Sequence, residues 1–222
     1  MGNTAKKGLI VLVLVAIVAG GVFAQVPGFA IGARAIGIMP FYTPGSDFIA
    51  SIGTASVDFK GGIGFGFAAQ ASFNFISLLG VQAEVIYNSD NIDISGTNMG
   101  SQIRGGTIKT TSLLIPVLVR VGLPVGPVQL TAVAGPYYTL ALGDMELAPT
   151  GLAREKIDWE GSLGAMGGAI VGFRIGPGAL FADVRYAYDF GEVIAKEGSE
   201  TEGVYQKGAI HCGIGYALQF GR

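Results

Sequence analysis

Few side chains in this 222-residue chain have the types and spacing to do chemistry. His211 is the sole histidine and Cys212 the sole cysteine. A histidine followed two residues later by a hydroxyl on one strand would place a base and a nucleophile on the same face. Here that position holds Gly213, and Cys212 faces the opposite side because neighbouring strand side chains alternate. His211 is therefore expected to be an interior hydrogen-bonding residue. A single cysteine also excludes an intramolecular disulfide framework and a multi-cysteine metal site. The run Gly61-Gly62-Ile63-Gly64-Phe65-Gly66 has the look of a dinucleotide loop. It lacks the strand-loop-helix setting and the acid on a following strand that such a loop needs. The acidic loops carry no calcium-loop spacing. No catalytic residue, cofactor site or metal site is expected.

The remaining chemistry lies in charged residues that share one strand parity: Arg34, Glu84, Arg120, Arg174, Asp183, Arg185 and His211, with Asp189 beside them. Isolated buried charge is costly, so these groups are expected to pair inside the protein. One reading is a salt-bridge and hydrogen-bond network that fills an interior; the other is a polar gate or a small ion path. The interior of an eight-stranded barrel is only wide enough for side chains, which favours the filled network.

The elements that hold these residues are strands. After residue 28, eight stretches alternate apolar with small or polar residues, joined by gaps that are long, short, long, short, long, short, long. In the last stretch Ile210, Cys212, Ile214, Tyr216, Leu218 and Phe220 are apolar, while Ala209, His211, Gly213, Gly215, Ala217 and Gln219 are small or polar. The predicted strands run about Phe29 to Ile38, Lys60 to Phe75, Leu79 to Asn88, Ile108 to Val121, Val128 to Leu142 and Ser162 to Ile175. A seventh carries Leu180 to Phe190 and an eighth closes the sheet at Phe220. Leu113, Ile115, Val117, Val119 and Val121 are expected outward on the fourth. Short turns fall around Ser77, at Leu123 to Pro127 and at Gly176 to Gly178; long loops are predicted from Pro40 to Phe59, Ser89 to Gly106, Gly143 to Glu160 and Gly191 to Tyr205. The pattern predicts an all-β fold, an eight-stranded antiparallel up-and-down transmembrane β-barrel.

Composition agrees. Half of the residues are hydrophobic and only 14% are charged, against about a quarter in an ordinary soluble domain. A soluble ligand-binding barrel would place its apolar residues inside and its charges outside. Here the more polar face is too poor in charge, and too rich in glycine, to meet water. The tyrosines Tyr42, Tyr87, Tyr138, Tyr186 and Tyr188 fit headgroup depth.

Residues 1–24 read as a cleavable export signal: Lys6 and Lys7, an apolar run from Gly8 to Val18, then small residues with Val22 and Ala24 before the cut. Residues 25–222 would form the barrel domain, with 12 basic and 16 acidic residues and a charge of −4. No basic patch interleaved with aromatics is present, which argues against nucleic-acid binding.

Four segments carry a resemblance. Val81-Gln82-Ala83-Glu84-Val85-Ile86-Tyr87-Asn88, Leu113-Leu114-Ile115-Pro116-Val117-Leu118-Val119, Ala134-Gly135-Pro136-Tyr137 and Asp183-Val184-Arg185-Tyr186 occur in order with suitable spacing. Together they resemble the PorT-like group of outer-membrane β-barrel proteins over about Phe29 to Phe220. The resemblance implies the outer membrane of a diderm bacterium and brings no shared catalytic site; its members are linked to secretion, transport and surface roles. In one departure, Gly221 and Arg222 follow Phe220, where many such barrels end on an aromatic residue.

The expected function is a non-enzymatic structural or surface-interaction barrel, lodged in outer-membrane lipid. The alternatives are a small porin-like transport or secretion-accessory barrel and a lipid-modifying enzyme. The working surface is expected on the last two long loops. Asp144, Glu146, Glu155, Asp158 and Glu160 face Arg154 and Lys156, a local charge of −3; Glu192, Glu197, Glu200 and Glu202 face Lys196, also −3. These are either solvated loops kept acidic for solubility or an electronegative rim for a basic surface or envelope partner or a cation, with Trp159 as an aromatic anchor.

Overall fold

A computed structural model of the chain describes residues 28–44, 56–76, 78–98, 101–142, 145–149, 155–157, 161–191 and 205–220. The expected export segment, residues 1–24, lies outside these. Large apolar and small or polar side chains alternate, and a pleated strand sends them to opposite faces. The resulting segments are β1 (Phe29–Pro44), β2 (Ser56–Gly61), β3 (Gly64–Asn74), β4 (Leu79–Asn98), β5 (Ser101–Val125), β6 (Val128–Ala141), β7 (Met145–Pro149), β8 (Glu155–Ile157), β9 (Leu163–Ile175), β10 (Gly178–Asp189) and β11 (Tyr205–Phe220).

These segments form eight barrel strands. β2 and β3 lie end to end along β4, and β6 and β7 lie end to end along β5. β8 pairs with β7 as β9 pairs with β6, so β8 and β9 also follow one line. Each barrel strand pairs antiparallel with the next, and the first pairs with the last from Phe29↔Phe220 to Pro44↔Tyr205. The sheet closes into a barrel with no free edge along these pairings. No helix occurs among the described residues.

One rim carries tight turns. Val125 pairs with Val128 and Ile175 with Gly178, leaving two-residue turns of Gly126-Pro127 and Gly176-Pro177. Gly126 and Gly176 have φ of 60° and 59°. Proline cannot take a positive φ, so positive φ at the first turn residue alone makes these type II′ hairpins, whose twist matches the sheet. The turn predicted from Leu123 is thus shorter than expected, because Leu123, Pro124 and Val125 continue the ladder to Leu130, Gln129 and Val128.

The opposite rim differs more from the sequence reading. The loop predicted from Ser89 to Gly106 is a long hairpin, paired from Ser89↔Thr111 to Asn98↔Ser101 with a register shift at Ile94/Ser95. Its Asn, Asp, Ser and Gly residues still form the backbone ladder, since beyond the membrane neither face must be apolar. β1 likewise runs on through Pro40 and Pro44, into the stretch predicted as the first long loop. Past Ile38 it pairs only with β11, so one side of the strand tolerates a missing N–H. The gap from Gly143 to Glu160 contains β7 and β8.

The outer surface is apolar. Phe67, Val119, Val184 and Ile214 are each more than half exposed, and the burial of β3 alternates residue by residue. A water-soluble barrel would not display such a continuous apolar belt, whereas lipid stabilises it. One residue departs from its expected side: Ile115, predicted outward, is 8% exposed. It lies next to Pro116, where the pairing with β4 skips from Val117 to Leu114. Inside, Ile36, Ile86, Leu118 and Met166 belong to the buried core that fills the mid-lumen.

Candidate functional site in the barrel lumen

Four inward charges from three strands meet in a belt across the lumen. β1 supplies Arg34, β4 supplies Glu84, and β10 supplies Asp183 and Arg185, two residues apart and so on one face. Arg34 donates through Nη2 to Glu84 Oε2 at 3.0 Å and through Nη1 to Asp183 Oδ1. Arg185 Nη1 donates to Glu84 Oε1 at 2.8 Å. Arg185 Nε lies 3.0 Å from Asp183 Oδ1, a charge contact rather than an aligned hydrogen bond. All four side chains are 0% exposed. Gln82 extends the belt, donating to Gln70 Oε1 at 3.2 Å and to Glu84 Oε1.

Two arginines and two carboxylates make the belt neutral. Desolvating each ion costs several kcal/mol, offset here because each charge has partners of opposite sign. The belt also fixes its surroundings. A Cβ on Gly213 would come within 2.6 Å of Asp183 Oδ2 and 3.0 Å of Arg34 Nη1, so any larger residue at that point of β11 would have to displace the belt's charged groups.

The other predicted lumen residues divide. Arg120, on β5, is half-buried; among the described residues it makes no ion pair, and its Nε has no hydrogen-bond partner. Arg174 does not join the belt: it is exposed at the short-turn mouth, two residues before the Gly176 turn. His211 is fully buried at 0%, and neither ring nitrogen has a protein partner, in contrast to the hydrogen-bonding role expected of it. A void of about 20 Å³ beside it, bordered by Asn88, Ser112 and Asp189, exceeds the volume one water needs.

A second polar layer lies nearer the long-loop rim. Tyr137 donates its hydroxyl to Asp189 Oδ1 at 2.7 Å, Lys207 Nζ lies 2.7 Å from Asp90 Oδ2, and Thr110 donates to Asp90. The Asp90–Lys207 pair escapes the sequence reading because Asp90 falls in a predicted loop. The signal is present: Glu84, Asn88 and Asp90 keep one parity, and carrying it two residues past Asn88 finds the acid. Gln70 and Gln82 read as inward from alternation, but nothing local marks them as partners of the belt.

Of the expected loop surface, Asp144, Asp158, Trp159, Glu160, Glu192, Glu197, Glu200 and Glu202 lie outside the described residues. The backbone of Glu146 pairs in β7 opposite Lys109. Among the described residues no cluster of three His, Cys, Asp or Glu side chains could hold a metal ion.

Solved structures share this fold. OprG from Pseudomonas aeruginosa is 12% identical, with a TM-score of 0.56 over 89% of this chain and 98% of that one. Neisserial surface protein A is 15% identical, with a TM-score of 0.50 over 86% and 97%. A major outer membrane protein from Thermus thermophilus is also 15% identical, with a TM-score of 0.50 over 86% and 99%. At such identities the likeness speaks for the fold alone. No curated protein matches the sequence. The closed barrel, its lipid-facing belt and the family match locate the protein in the outer membrane. The family model for the outer membrane protein beta-barrel domain matches residues 23–195, and the chain belongs to that family.

Proposed function

We propose that the protein is a non-enzymatic structural or surface-interaction barrel whose lumen is closed by its own side chains. The belt of Arg34, Glu84, Asp183 and Arg185 carries this reading. An ion crossing the lumen would have to part fully buried, mutually bonded charges and then pass the apolar layer around Ile86, Leu118 and Met166. The surface role is supported by the far rim. β4 and β5 are 20 and 25 residues long, while a tilted strand crosses a bilayer in about 9–11. The excess lifts that hairpin about 20 Å from the membrane at ~3.3 Å per residue and ~45° tilt. The strands that flank the two acidic stretches of charge −3 end at the same rim. A catalytic role is disfavoured by the position of His211, which is sealed from solvent and followed two residues on by Gly213. Within the family, the four ordered segments argue for a place in the PorT-like group, with residues 1–24 removed on export.

Single-channel recording in planar bilayers tests the closed lumen. The purified barrel should show no stable open level; a large, steady conductance from the monomer would overturn the reading in favour of a porin-like role.

A further inference from the structure

Between the charge belt and the short-turn mouth the lumen widens into a cavity of about 690 Å³, within the ~300–1,000 Å³ typical of small-molecule sites. Its wall mixes polar groups such as Gln70, Gln129 and Thr131 with apolar Phe29, Ile170 and Phe181. Among its described lining residues are two cations, Arg120 and Arg174, and no acid. The two acids of the belt, Glu84 and Asp183, are engaged by Arg34 and Arg185. Arg120 therefore contributes a positive charge that the belt does not neutralise, and its buried Nε lacks an acceptor. In a lipid-clad barrel such a charge is poorly screened, and an acceptor delivered from the cavity would interact with it strongly.

We propose that this vestibule binds a small organic carboxylate, held by its carboxylate on Arg120 with its apolar portion against the cavity wall. The planar guanidinium matches a carboxylate in charge and in fork geometry. One inner cation calls for a monoanion: a dianionic phosphate would leave a charge unmatched in the interior, because Arg174 is already at the exposed mouth. The mixed wall selects an amphipathic ligand over an inorganic ion. The site lies on the mouth side of the belt and functions whether or not the lumen conducts.

NMR of arginine Nε–H groups tests this on the full barrel in lipid nanodiscs, with 3-phenylpropionate as probe and Arg120→Lys to assign the Arg120 signal. The expected result is a saturable shift of that signal, with binding at least tenfold weaker for 3-phenylpropanol and for inorganic phosphate. Arg120→Gln should weaken 3-phenylpropionate binding tenfold or more, while Arg174→Gln weakens it less than threefold. Equal binding of the alcohol or of phosphate, or an unchanged affinity in a folded Arg120→Gln barrel, would overturn the assignment. If Arg120→Gln does not fold, the comparison of carboxylate, alcohol and phosphate on the unaltered chain decides the question.

Discussion

At the middle of the barrel, Arg34 and Arg185 meet Glu84 and Asp183 with no side chain exposed. Toward the short-turn mouth, Arg120 and Arg174 line an open cavity with no acid among its described residues. The two regions share one inward parity and one residue chemistry, yet they impose opposite constraints. In the belt every charge is sealed, so each must find its complement within the chain and nearby backbone must make way. In the vestibule there is free volume, so charge is tolerated unpaired and side chains can change without collision.

The sharpest way to break this contrast is to remove the acceptor shared by both belt arginines. Glu84→Ala leaves Arg34 and Arg185 with Asp183 alone, and breaking a buried pair costs about 3–5 kcal/mol. Equilibrium unfolding in lipid or detergent, followed by heat-modifiable gel migration, measures it. A midpoint unchanged from the parent would mean that the belt is hydrated and does not hold the lumen closed.

Gly213→Ala asks the same question through volume. The added methyl would collide with Asp183 Oδ2 and Arg34 Nη1, and overpacking of this kind costs about 1–3 kcal/mol. The loss should be smaller in an Asp183→Asn, Arg34→Gln background than in the parent, because the groups it strikes would no longer be held by charge. Additive losses would show that Gly213 answers to the backbone rather than to the belt.

How far these positions are legible in the sequence depends on what sets them. Parity is a local property of a strand, so Arg34, Glu84, Asp183 and Arg185 can be read as inward from alternation alone. Depth is not local. Arg174 and Asp183 share the inward parity, but one lies beside the Gly176-Pro177 turn and the other well beyond it. Only that distance separates an exposed mouth from a sealed belt. The extended hairpin of β4 and β5 is hidden for another reason. Outside lipid a ladder needs no apolar alternation, so residues such as Asp90, Asn91 and Asp93 carry a loop's composition on a strand's backbone. Tyr137 as the partner of Asp189 is equally hidden, since the strands that bear them do not adjoin: both residues pair opposite Gly164 on the strand between, and the tyrosine reaches across that glycine.

In the vestibule, Arg120→Gln should change stability by no more than about 1 kcal/mol, since no ion pair is lost and a half-buried positive charge is removed. The same unfolding measurement that reads Glu84→Ala serves here. A loss comparable to that of Glu84→Ala would place Arg120 inside the belt's electrostatic balance and erase the distinction between the two regions.

The smallest effect expected is also the one whose sign separates the regions. Gly172 points into the lumen as Gly213 does, but it lines the vestibule, and the nearest atoms to an added Cβ are Gln129 O at 3.8 Å and Leu180 O at 3.9 Å. Among the described glycines positive φ belongs to Gly28, Gly126 and Gly176 and not to Gly172, so alanine can adopt the same backbone. With space and conformation both permitting, Gly172→Ala restricts the unfolded chain more than the folded one and should stabilise by about 0.4–1 kcal/mol. Gly213→Ala, a chemically identical change on the same lumen face, should destabilise. If both substitutions destabilise alike, lumen glycines serve the curvature of the wall everywhere, and the free volume of the vestibule is not what distinguishes the two halves.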